Sequence, residues 1–364
     1  MVTSLRPLDS AHCAPERGER VLVTGASGLL GREVVFALLR AGYAVRAFQR
    51  GESGIRQLLP DHLASRFDQV RGSLTDQLAV RRALTGGADL PPADGVIHLA
   101  AKVSVVGDWE DYLRVNLEGT RTLLEAARAA GVSRFLHTSS PSVAHSGTSI
   151  VGEGNPPATP QQARGNYARS KAESELLALS FDDENFWVGV LRPHLVWGPG
   201  DTQLVERVLD RAASGRLPLL NHGTALIDTL YIDNGADAFV RGYQRLERVR
   251  GVPLVITNGQ PRPVGEIIAG MCTACGVTPP AYSLPAPLAY GAGLALEKIW
   301  ARFAPEQIPP LTSFLAEQLS TAHWFDQRRT QELLDWAPTV SLEEGYERLG
   351  DFYGQRFAQA PRPR

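Results

Sequence analysis

Cysteine is scarce in this chain: three residues in 364 cannot build a disulfide framework, and they fit a reducing cytoplasm. No charge of one sign dominates. The 37 Lys and Arg nearly balance 39 Asp and Glu, for a formal net charge of -2, which gives no electrostatic reason to expect nucleic acid as a partner. The opening MVTSLRPLDS lacks an apolar stretch, so no secretory signal is expected. A long uninterrupted hydrophobic run is also missing. Ile267 to Leu296 contains no Asp, Glu, Lys or Arg, but Pro279, Pro280, Pro285 and Pro287 break it, which excludes a membrane span of about 20 residues. A helix from about 287 to 303, carrying Leu288, Leu294, Leu296, Ile299 and Trp300, is expected either to line an apolar pocket or to rest on a bilayer.

Cys272 and Cys275 form a C-x-x-C pair, yet no second ligand pair lies at zinc-site spacing. They close an apolar helical run, VGEIIAGMCTAC, instead of opening a helix after a strand. Two small core residues are therefore expected, with no metal and no redox role.

Residues 1–19, rich in Pro, Arg, Glu and Ser, read as a flexible lead-in. From Arg20 onward strands and helices alternate. RVLVTG is a short strand ending in glycine, GREVVFALLRAG an amphipathic helix, and YAVRAF a second strand. A strand near FDQVRG, a helix over 75–84, strand DGVIHLA, a helix over 108–130, strand SRFLHTS, a helix over 163–180 and strand FWVGVLRP follow. This alternation predicts an α/β fold, a Rossmann-type doubly wound parallel sheet over 20–200. Beyond Gly200 helices near 202–213, 234–246 and 263–275 stand between proline-bearing stretches. A smaller, mainly substrate-binding domain is expected over 201–355, interleaved with the first.

The chemistry-bearing residues begin with TGASGLLG, where Gly25, Gly28 and Gly31 stand three apart between a strand and a helix. Glycine there allows a tight turn and lets a pyrophosphate reach the helix N-terminus, whose free N–H groups and dipole favour anions. NAD-binding chains usually end the next strand with a carboxylate. Here Gln49 and Arg50 take that place, and a guanidinium can grip a 2′-phosphate that a carboxylate would repel, so NADP is expected over NAD. Arg32 is a second candidate for the phosphate. Further on, Tyr167 and Lys171 share a helical face at i, i+4 spacing; an ammonium beside the phenol is expected to lower its pKa and ready it for proton transfer.

TGASGLLG, HLAA at 98–101, VNLEGT at 115–120, HTSS at 137–140, YARSK and LRPHLVWGPGD together resemble an extended short-chain dehydrogenase/reductase over about residues 20–350. TSSPSV, LAEQLSTAHWFD and LLDWAPTVSLEEG are similar to the 3β-hydroxysteroid dehydrogenase-like branch, and within it to OleD-type 2-alkyl-3-oxoalkanoate reductases of bacterial long-chain olefin biosynthesis. The resemblance implies that Ser140 orients the substrate oxygen, with Tyr167 and Lys171 completing the catalytic group and Asn116 supporting a proton relay behind the lysine. It implies cofactor contacts from Gly25, Ser27, Gly28, Leu29, Leu30, Gly31, Gln49, Arg50, Asp76, Leu99, Ala100, Ala101, Tyr167, Lys171, Pro193 and Val196, and a helix-capping role for Asp233. Ser73 stands where the family often has an acid near the adenine, and PSVAHSG replaces the VYG element of many sugar epimerases.

The activity so implied is NADPH-dependent reduction of a long-chain 2-alkyl-3-oxo acid to the 2-alkyl-3-hydroxy acid. Its partners would be the hydrophobic keto or hydroxy acid, other olefin-pathway enzymes or a membrane surface, and a second copy through helices 108–130 and 163–180. A 3β-hydroxysteroid dehydrogenase is one alternative. A sugar-nucleotide epimerase or dehydratase is another, against which stand the apolar 284–303 segment and Pro141–Ser142, where a dehydratase would want an acid. A non-enzymatic dinucleotide sensor is a third, although such proteins can lose the Tyr–Lys pair retained here. Leu288, Leu294 and Trp300 are the expected wall of the substrate cleft. His145, His194 and His323 are assigned no catalytic role.

Overall fold

The computed structural model describes residues 18–87, 90–103, 107–304 and 309–358. The expected flexible lead-in therefore falls almost wholly outside the described residues. Its last residue, Glu19, is tied down, accepting a 2.6 Å hydrogen bond from the Tyr243 hydroxyl.

In chain order the first half runs β1 (Arg20–Thr24), α1 (Leu29–Arg40), β2 (Ala44–Gln49), β3 (Phe67–Arg71), α2 (Gln77–Thr85) and β4 (Gly95–His98). It continues with α3 (109–129), β5 (Arg134–Thr138), α4 (Gly165–Leu179) and β6 (Trp187–Pro193). The remainder supplies α5 (Val205–Ala213), α6 (Ile232–Gln244), β7 (Pro253–Ile256), α7 (Val264–Ala274), α8 (Ala286–Phe303), α9 (Ser313–Ser320) and α10 (Leu342–Ala358). Seven parallel strands form one sheet in the order β7-β6-β5-β4-β1-β2-β3. The strand order reverses between β1 and β4, so the chain ends of those strands open the crevice in which doubly wound sheets bind ligands.

The strands are buried on both faces, which is why VLV, VIH and FLH read as continuous apolar runs and not as alternation. On one face α1 covers β1 and β2 and α6 covers β5 and β6, with Val34, Leu38, Phe239 and Tyr243 in the shared core. On the other, Leu84, Leu123, Leu124 and Phe186 close the layer. α3 and α4 lie side by side on that second face. A second core joins α5, α7 and α10 around Trp197, Leu209, Met271 and Tyr353. Cys272 and Cys275 sit in it, buried and free, with burial pushing their thiols up to about 12 and about 11. The chain beyond 200 interleaves twice with the first layer, giving helix α6 to one face and strand β7 to the sheet edge.

A four-stranded patch outside the main sheet links distant pieces: His323–Phe325 pairs with Ile150–Glu153 on one side and with Leu226–Ile227 on the other. It fastens the loop that follows β5 to the C-terminal region.

Two expectations are corrected here. Asp233 does not cap α6; the helix begins at Ile232 after Tyr231, and Asp233 in its first turn pairs with Arg348 at 2.5 Å, a position the helix dipole still favours. The apolar side chains of α8 also point the other way. A Cβ on Gly293 would lie 2.5 Å from the Ser313 amide nitrogen, so the face with Ala289 and Gly293 is the one that packs against α9. Close helix approach selects small residues, and Leu288 and Leu294, out of phase with them, are 67% and 41% exposed. They face away from α9 into the open, whereas Trp300, the third residue expected in the cleft wall, is half-buried.

Candidate active site

The crevice floor is the turn after β1. Gly25 has φ +72°, and a Cβ there would sit 2.8 Å from the Ala100 nitrogen. Only glycine both adopts that conformation and lets the HLAA strand end approach so closely. α1 starts at Leu29 with no side chain capping it; Gly28 holds the N-cap position and Ser27 is exposed beside it. Leu30 packs toward the second core and Gly31 is buried against the turn. Gln49 is buried at the end of β2, and its Oε1 has no hydrogen-bond partner. Arg50 beside it is exposed and makes no hydrogen bond or ion pair to a described residue. A cradle that a Cβ would fill, an uncapped helix N-terminus and an orphaned buried oxygen fit a dinucleotide. Arg32 is already engaged, pairing with Glu33 at 3.0 Å. Asp76 caps α2, its Oδ1 accepting from the Leu78 and Ala79 amides, so one of its oxygens is committed to the helix.

Under the crevice a buried chain of hydrogen bonds joins β1, β4, the loop after β4 and α3. The Thr120 hydroxyl donates to the Asn116 carbonyl at 2.7 Å, so it accepts from His98 Nε2 at 2.9 Å. His98 Nδ1 is then bare and accepts from the Thr24 hydroxyl at 2.7 Å, and Thr24 Oγ1 accepts the Ala100 amide at 3.0 Å. Every partner is consistent with a neutral imidazole, which burial holds down to about 3. Thr24, His98 and Thr120 were not singled out from the sequence, although they stand inside the HLAA and VNLEGT segments.

α3 contains a π-helical stretch, Leu113–Glu118, which turns Asn116 inward. Its amide donates to Ser170 Oγ at 2.9 Å and to the Lys102 carbonyl, and its Oδ1 accepts from the Lys102 amide at 2.7 Å. Asn116 thus clamps the loop after β4 to α4; its side chain is not bonded to Lys171.

Ser140, Tyr167 and Lys171 converge where β5 ends and α4 begins. Ser140 caps the short 3-10 turn Pro141–Ala144 and accepts from the Ser142 hydroxyl at 2.9 Å. The Tyr167 phenol is hydrogen-bonded to Ser140. Burial dominates its electrostatics and, together with Tyr112, outweighs that hydrogen bond, raising it to about 12. The expected lowering by Lys171 is not what the structure gives: the Lys171 ammonium donates to the Thr138 carbonyl at 2.5 Å, and burial lowers it to about 8. One turn beyond, Glu175 opposes that lowering and itself grips Arg192 of β6. Pro193 is partly buried at the end of β6, followed by His194, whose Nδ1 donates to the Asp228 carbonyl, and by Leu195 at φ +42°. A leucine in the left-handed region stores strain of the kind that collects at functional sites. Val196 pairs beyond it with Leu230.

The three histidines come together. His145, at the end of the Ser140 turn, lies 2.8 Å from His323, Nε2 to Nε2, and the His194 ring meets the His323 ring edge-on at 5.9 Å. Burial lowers all three, His194 to about 4 and His323 to about 3. The sequence separates them by up to 178 residues, so no spacing could announce the cluster.

A profile of the NAD dependent epimerase/dehydratase family matches residues 21–256. The chain is 35% identical over 335 residues to a 2-alkyl-3-oxoalkanoate reductase of Stenotrophomonas maltophilia, covering 91% of this chain and 98% of that protein. It is 34% identical to the 2-alkyl-3-oxoalkanoate reductase of Shewanella oneidensis, covering 90% and 84%. Among solved structures, UDP-glucuronic acid 4-epimerase from Bacillus cereus in complex with NAD superposes with a TM-score of 0.70 at 23% identity, covering 93% of this chain and 99% of that one.

Proposed function

This chain belongs to the NAD dependent epimerase/dehydratase family, and from that membership we propose that it is an oxidoreductase that reduces a long-chain 2-alkyl-3-oxo acid to the 2-alkyl-3-hydroxy acid with NADPH. The observation that carries the redox reading is the Tyr167 phenol joined to Ser140 where β5 ends and α4 begins, with Lys171 one turn further along α4. NADPH, when bound, supplies the hydride to the carbonyl carbon. Ser140 orients the carbonyl oxygen, and Tyr167 gives that oxygen its proton. Lys171, on the same face of α4, would set a positive charge against the phenolate as it forms and would hold the nicotinamide ribose with the ammonium protons left beside its bond to the Thr138 carbonyl. Asn116 keeps the loop after β4 in register with α4. Gln49 in place of a carboxylate, with the uncommitted Arg50 beside it, supports NADP over NAD.

Likeness to the two bacterial reductases along nearly the whole chain supports the substrate class. The test runs in the oxidative direction, because β-keto acids lose carbon dioxide unaided. Catalytic efficiency is measured with NADP on 2-alkyl-3-hydroxy acids of increasing alkyl length, with a steroid alcohol and a UDP-sugar as controls. Each buried methylene contributes about 0.8 kcal/mol, so efficiency should climb with length until the site is filled. Tyr167→Phe should lose turnover by orders of magnitude while binding NADPH normally. Preference for the steroid would overturn the substrate class, and turnover of the UDP-sugar alone would overturn the reductase reading.

A further inference from the structure

α8 has two unlike faces. Its inner face, Ala289 and Gly293, packs on α9, and Tyr290 accepts a hydrogen bond from Arg164, three residues before Tyr167. Arg164 also pairs with Glu317 of α9 at 3.0 Å, so this helix pair stands beside the entrance to the catalytic group. The outer face is apolar and open: besides Leu288 and Leu294, Ile299 is 48% and Phe303 79% exposed. Its charges are all of one sign. Lys298 and Arg302 are exposed, whereas the helix's one acid, Glu297, turns inward, accepting from the Ser313 amide and hydroxyl at 2.9 and 3.0 Å.

We propose that the outer face of α8 docks the protein on an anionic lipid surface, lying in the headgroup plane with its leucines, Ile299 and Phe303 at the acyl boundary. No helix among the described residues is long and apolar enough to cross a membrane, and the 18 residues of α8 span about 27 Å, suited to lying flat. Charge selects the occupant. A second copy seated on the same face would bring two cations with no exposed acid on that strip to receive them, while acidic headgroups provide the counter-charge. The face stands without the substrate assignment; resting partly on that proposed function is the consequence that a two-chain lipid acid would pass from the bilayer to a site whose entrance the same helix borders.

Flotation of the full-length protein with vesicles of phosphatidylcholine alone, or with added phosphatidylglycerol, tests this without any turnover assay. Partitioning onto the anionic vesicles only, weakening with salt, is expected. Lys298→Gln with Arg302→Gln should reduce it about thirtyfold, at about 1 kcal/mol per cation. Leu288→Gln, Ile299→Gln and Phe303→Gln together should reduce it about a hundredfold or more while leaving activity on a short-chain soluble substrate unchanged. Absence of binding, or equal binding to both vesicles, overturns the proposal. So does a dimer that the apolar triple variant breaks while vesicle binding persists. Because binding and turnover are read separately, a wrong substrate class leaves the docking result standing.

Discussion

Glu175 and Arg192 face one another as a bidentate ion pair with both side chains only 1% exposed, joining α4 to the sheet one turn beyond Lys171. The third arm of the guanidinium donates to the Pro156 carbonyl at 2.5 Å, so the charge is fully partnered. Removing one member leaves a buried charge uncompensated. Glu175→Ala should therefore cost about 3–5 kcal/mol in denaturant unfolding. Replacing both residues with apolar side chains of similar volume should cost much less than the two single changes summed. Additive losses would show that the pair is not coupled.

The Lys171 ammonium titrates near 8 in the fold against about 10.4 in the unfolded chain. Burial disfavours its charged form, so its contribution to stability improves as pH rises from about 8 to about 10.4. Activity should move the opposite way. Turnover that depends on the charged lysine should fall with a single-proton limb above about pH 8, while the melting temperature does not fall with it. Lys171→Arg should retain a fraction of the rate but lose that limb, since arginine stays charged. A limb unchanged in the arginine variant would remove Lys171 from the profile.

The proposed preference for NADP rests on Arg50. Arg50→Ala should weaken NADPH binding by about 1.5–3 kcal/mol, the range for a hydrogen bond to a charged group, and leave NADH binding nearly unchanged. Titration calorimetry with both cofactors checks it, and equal losses would give Arg50 a structural role.

His98, His137, His194 and His323 are buried and held neutral, with His98 and His323 lowered to about 3 and His194 to about 4. Their folded pKa values lie below the unfolded value near 6.5. The stability they contribute is complete above that value and is lost as pH falls toward 3. Unfolding free energy should drop steeply between about pH 6 and pH 4, and His98→Asn, a variant that does not titrate, should flatten part of that slope.

Much of the crevice was legible because it is local. The glycine turn, the Gln49–Arg50 pair and the i, i+4 spacing of Tyr167 and Lys171 each lie within one strand–turn–helix or one helical turn, where chemistry and conformation share the same few residues. What was missed depends on long-range packing. The direction of α8 turned on which face must approach α9, and Gly293 decided that through Ser313, 20 residues on in sequence. The phenol's environment is not legible from the i, i+4 spacing, because burial dominates it and the Lys171 ammonium donates to the Thr138 carbonyl. Asp233 carries a motif's aspartate into a helix first turn without the capping bond. The histidine cluster requires the strand His323–Phe325 to meet the segments after the Ser140 turn and after β6, which no period records.

The Thr24–His98–Thr120 chain has a further consequence. It begins at a backbone amide and ends at a backbone carbonyl, and every hydrogen along it points the same way. Neither terminus can release or take up a proton, so the chain is an insulator. This chain therefore carries no proton into the crevice from the sheet side.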